Sequence, residues 1–159
     1  MNPDQLLRRQ LADFLDWHEA HAGFHDAVEN FPAELRGKVP DRLPYSAWQL
    51  LEHIRLALWD ILEFSRDAKH KSPPWPDGYW PNTAAPPNAR AWNRSVEAID
   101  QHLEAMRELV RDPARDLLKP MPHGSGQTLL RELLLVADHN AYHIGQLVLV
   151  RKALGAWKT

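Results

Sequence analysis

A chain of 159 residues that is 44% hydrophobic and 25% charged is read as one globular unit, a single domain over residues 1–159. A net charge of −2 with scattered basic residues argues against nucleic acid or an anionic membrane surface as partner. Cysteine is absent, which excludes disulfides, thiolate metal sites and a cysteine nucleophile, whereas nine histidines and seven tryptophans are in excess.

The opening stretch, MNPDQLLRRQLADF, mixes charges into a helical pattern, lacks the apolar run of a signal peptide, and sets the expectation of a cytoplasmic protein. No segment has the 18 or so uninterrupted apolar residues of a membrane span. The first helix is predicted from Pro3 to Val28, on Leu7, Leu11 and Phe14 recurring at three-four spacing. A Pro- and Gly-containing stretch, NFPAELRGKVPDRLP, breaks the pattern. The second helix starts near Ser46, where SAWQ has the form of a capping box, and runs to about Ala68 with Leu50, Ile54, Ala57 and Ile61 inward.

The proline-rich segment HKSPPWPDGYWPNTAAPPNA follows and cannot be regular structure. A helix of ~23 residues is ~35 Å long, and some 20 linking residues reach up to ~65 Å, so this link allows the flanking helices to run parallel. Its tryptophans, Trp75 and Trp80, are expected to pack on the helices, making the link a fixed strap. The third helix is predicted from Arg90 to Arg111 and the fourth from about Gln127 to Leu154, ending at Gly155. Apolar residues surround the fourth almost completely, which predicts the most deeply buried helix. The fold class is therefore all-α, a four-helix bundle with a long Pro/Trp-rich crossover between its second and third helices.

Inside the fourth helix, DHNAYHIGQ places His139 and His143 one turn apart among leucines and valines. Two imidazoles at i and i+4 can aim nitrogens at one ion, and a metal satisfies polar atoms that an apolar wall leaves unpaired. The bland alternative is histidines satisfied by hydrogen bonds in the core or at the surface. A third ligand is needed, and His53, on the inner face of the second helix, is the best candidate. His18, His21 and His25 continue the Leu7–Leu11–Phe14 stripe and form a rival set, with His21 a candidate to line a pocket. His70 and His123 are read as surface residues, and His102 has no assigned role. Gln146 is a candidate to orient His143.

Several chemistries fail on spacing. The metalloprotease HExxH needs a glutamate where Asn140 stands, and none of the histidines has a Glu three residues before it, as di-iron bundles require.

The segments WQLLEHIRLALWDILEF and TLLRELLLVADHNAYHIGQLVLVRKALG, with the HxxxHxGQ ending, resemble the second and last helices of the DinB superfamily. That resemblance implies an up-down-down-up bundle, often a homodimer, with one divalent ion held by three histidines, here His53, His139 and His143. It also implies relatives that act as thiol-dependent S-transferases or as a thiol-dependent isomerase. Zinc is favoured on ligand type, with nickel or iron also suited to imidazole. Three neutral imidazoles leave a position for water, a small-molecule substrate or a low-molecular-weight thiol, so S-transferase or hydrolase chemistry is expected. The alternatives are a non-catalytic stress-response module whose structural metal is closed by a fourth ligand such as His21, and a metal-free helical scaffold.

Overall fold

The computed structural model describes residues 2–15 and 20–157. Among them the regular structure is helical, with no strand beyond a single bridge between Pro120 and Thr128. Helix α1 (Pro3–Phe14) opens with Pro3, whose missing N–H costs nothing at a helix start. At its start, the side chains of Asn2 and Gln5 cap each other's backbone N–H groups. Helix α2 (Phe24–Val28) is a short piece, and α3 (Ala47–Arg66) begins on a reciprocal Ser46–Gln49 capping box. Helix α4 spans Ala91–Arg111. Helix α5 spans Leu129–Ala153, starts on the Thr128 hydroxyl, and gives way to Gly155 at φ +69°, a backbone conformation that favours glycine.

Helix α3 packs against both α4 and α5, while α1 lies on α4 and α2 on α5. The hydrophobic core sits between them, with Leu51, Ile54 and Leu62 of α3, Met106 of α4, and Leu133 and Leu147 of α5 all completely buried. Two buried arginines close helix ends, where final carbonyls lack intrahelical donors. Arg8 of α1 donates to the carbonyls of Val110, Asp112 and Arg115, at and just past the end of α4. Arg151 of α5 donates to the carbonyls of Asp26 and Ala27 in α2.

Two expectations need correction. The helix read as continuous from Pro3 to Val28 is not: α1 ends at Phe14, and Ala20–Gly23 is non-helical before α2 begins. Gly23 weakens helix continuation and takes an extended conformation, and the Asp26 carboxylate accepts its N–H at 2.8 Å, so a new helix starts there. Nor is α5 the most buried helix. Thirteen of the 20 residues of α3 are buried against nine of the 25 in α5, and Leu134, Tyr142 and Leu149 of α5 face outward. No helix among the described residues is long and apolar enough to cross a membrane.

Candidate metal centre

His53 lies in the first half of α3 and is only 3% exposed. His139 and His143 approach it from the middle of α5, one turn apart as the i, i+4 spacing requires. The Nε2 atoms of His139 and His143 each lie 3.1 Å from Nε2 of His53. One ligating nitrogen from each ring falls within 4.8 Å of the others, the arrangement that can hold a metal ion.

The partners of the outer nitrogens decide what the inner ones carry. Nδ1 of His53 is 2.9 Å from the Tyr79 carbonyl oxygen, which can only accept, so His53 carries its proton on Nδ1. Nδ1 of His143 likewise donates to Oε1 of Gln146 at 2.7 Å. Both inner nitrogens therefore present lone pairs while the rings are neutral, and two lone pairs facing at 3.1 Å repel. A cation between them converts that repulsion into coordination. Nitrogens about 2.0–2.1 Å from a tetrahedral zinc sit about 3.3 Å apart, close to the observed separation. The donor set fits a divalent ion.

Burial keeps the rings neutral. It holds His53 and His143 below the ordinary imidazole value, with the Tyr79 carbonyl and Gln146 pulling the other way. His139 is pushed down from 6.5 to about 4, first by burial and then by repulsion from His143 and His53. The Asn140 side chain opposes that shift, although His139 Nδ1 and Asn140 Oδ1 are both buried without a well-formed hydrogen bond.

A pH dependence follows. Between pH 6.5 and about 4 the unfolded chain binds a proton at residue 139 that the folded, metal-free chain resists. This contribution is absent above pH 6.5 and becomes increasingly destabilising as pH falls through that window. Urea midpoints of metal-free protein should fall across it, and the fall should be shallower in His139→Ala.

Aromatic side chains frame the centre. Trp80 stacks on the His53 ring at 4.0 Å and 4°, and Tyr45 stacks on the other side of Trp80 at 4.3 Å. Tyr142, 65% exposed, meets His143 in a T-shaped pair at 4.9 Å. Trp80 thus packs as the sequence suggested, but Trp75 does not and stays 74% exposed.

The rival histidines lie elsewhere. His21 is exposed and lines an apolar cavity of about 270 Å³ with Asn140, Ile54 and Phe24, which none of the three clustered histidines lines. His25 is exposed and pairs with Asp100 at 3.0 Å, and His18 lies outside the described residues. His123 is exposed, with Nε2 2.8 Å from the Phe64 carbonyl. His70 is no surface residue: its side chain is 10% exposed and its Nε2 is 2.7 Å from Asp60 Oδ1. His102 is half-buried on α4 and held low by burial, then by Arg55 and Arg66.

The family model described as the DinB superfamily matches residues 16–147, most of the chain. The chain belongs to the DinB superfamily. No curated protein and no solved structure gives a match. All three clustered histidines and Gln146 of this DinB-superfamily chain fall inside the matched span, while α1 falls outside it. Tyr79, Trp80, Asn140 and Tyr142 are neighbours of the clustered histidines to which the sequence assigned no role there. Of these, the expectation that the link's tryptophans pack inward pointed to Trp80 alone.

Proposed function

We propose that this DinB-superfamily protein is a metal-dependent enzyme in which His53, His139 and His143 hold one divalent ion, zinc by preference, with nickel or iron also accommodated. The observation that carries the reading is the meeting of two lone-pair nitrogens at 3.1 Å, each with its outer nitrogen already engaged. When bound, the ion supplies Lewis acidity that lowers the pKa of a water or thiol reaching it. Tyr79 and Gln146 keep two rings in the ligating tautomer, and burial keeps all three rings neutral. Among the described residues no fourth His, Cys, Asp or Glu joins the group, which favours an open position over a closed structural site. The reading is S-transferase or hydrolase chemistry on a small molecule, with a low-molecular-weight thiol as cosubstrate.

The architecture belongs to the same proposal, as one domain forming an up-down-down-up four-helix bundle. Glu52 accepts from Ser95 near the starts of α3 and α4, which supports a parallel pair. His123, just before α5, meets the Phe64 carbonyl near the end of α3, which supports an antiparallel one. Asp4 and Leu7, near the start of α1, line one pocket with Pro113 and Leu117, just past the end of α4, which supports the same relation for α1 and α4. The outward Leu134, Tyr142 and Leu149 of α5 support burial against a second copy, a homodimer.

Cobalt(II)-loaded protein titrated with 2-mercaptoethanol tests the open position. A saturable thiolate-to-cobalt charge-transfer band is expected. A cobalt spectrum indifferent to thiol and to azide contradicts it and favours a closed structural site.

A further inference from the structure

Asp60 follows His53 by seven residues on α3, so the two side chains leave nearly the same face two turns, about 10 Å, apart. Both grip the same residue of the connecting segment. His53 Nδ1 donates to the backbone carbonyl of Tyr79 at 2.9 Å, and the Tyr79 hydroxyl donates to Asp60 Oδ2 at 2.6 Å. The other oxygen of Asp60 is 2.7 Å from His70 Nε2, again from the connecting segment. Trp80, the next residue, lies flat on the His53 ring. Two consecutive residues therefore set both the proton position and the plane of His53, and a carboxylate two turns away holds the first of them.

The chemistry suits positioning better than simple packing. A carboxylate only 8% exposed is costly unless its oxygens are hydrogen-bonded, and an apolar side chain would anchor a loop more cheaply. What Asp60 adds is direction. The carbonyl that His53 uses must sit within a few tenths of an ångström of its place, because hydrogen bonds weaken steeply off-line. Without that acceptor the proton of His53 is free to move to Nε2, where it blocks ligation.

We propose that Asp60, Tyr79 and His70 form a lock that fixes the tautomer and orientation of His53 and so sets the metal affinity of the three-histidine site. Asp60 is a positioning residue, and the affinity part of the proposal rests on the metal reading above.

The test has an arm that needs no metal. In ¹⁵N-histidine spectra of metal-free protein, His53 should be the Nδ1–H tautomer in the wild type and a mixture in Tyr79→Phe, which deletes only the hydroxyl. Zinc affinity, by competition with a chromophoric chelator, should fall by up to about 10-fold in Tyr79→Phe and Asp60→Ala, the low end of what loss of a histidine's direct partner costs, because both variants loosen the Tyr79 carbonyl without removing it. Asp60→Asn, which keeps an acceptor for the tyrosine, should recover most of it. Variants that melt earlier but keep the wild-type tautomer and zinc affinity overturn the lock. A wild type that binds no zinc overturns the metal reading instead, and the tautomer spectra then decide the lock alone. If Asp60→Ala does not fold, Tyr79→Phe decides between these outcomes by itself.

Discussion

Replacing His143 with alanine should lower zinc affinity by more than about 100-fold while leaving the helical fold in place, because a lost ligand outweighs the 10–100-fold of a lost outer partner. His143 supplies one of the two nitrogens that face each other at 3.1 Å, and its ring is buried at the centre of the group. Truncation removes some packing but also removes a lone pair opposed to that of His53, so metal-free stability should change by only about 1 kcal/mol. Metal changes the comparison. Zinc at 100 times its dissociation constant stabilises a binding-competent fold by about 2.7 kcal/mol, and the variant should forfeit that gain. Thermal melts of both proteins with and without zinc separate the two effects. An equal zinc-induced shift in wild type and variant would remove His143 from the site.

Met106→Ala should do the reverse. Met106 is completely buried on α4, which packs on α3 and α1 and carries none of the three clustered histidines. Emptying that volume should cost about 2–5 kcal/mol, through lost burial and an incompletely collapsed cavity. In a domain of this size the melting temperature should drop by about 4–20 °C. Zinc affinity at 25 °C should stay within about two-fold, since distant sites act nearly independently. Denaturant melts and zinc titrations check both halves. A fall in affinity that tracks the loss of stability would mean that the site is no more than a reporter of the whole fold.

The contrast between these variants reflects what the residues themselves declare. His139 and His143 are legible because helical geometry alone puts i and i+4 on one face, and His53 because it stands in the inner stripe of its helix. Which turn of α3 meets which turn of α5 was not legible, since side-chain packing sets that stagger. Phase misled in the first helix: His21 and His25 keep step with Leu7, Leu11 and Phe14, but periodicity carries no statement of continuity, and the helix ends at Phe14 while a new one starts after Gly23. Composition misled in α5, whose outward leucines read like core. The acceptor for His53 is a backbone carbonyl 26 residues away, and a carbonyl has no signature in a sequence at all.

Whether three histidines hold one ion is decided by crystals of zinc-loaded protein, with anomalous differences collected across the zinc absorption edge. One anomalous peak is expected about 2.0–2.1 Å from Nε2 of His53, His139 and His143, with a non-protein ligand completing the coordination. With zinc in excess, no peak among the three nitrogens, or a peak closed by a fourth protein side chain, would refute an open three-histidine centre.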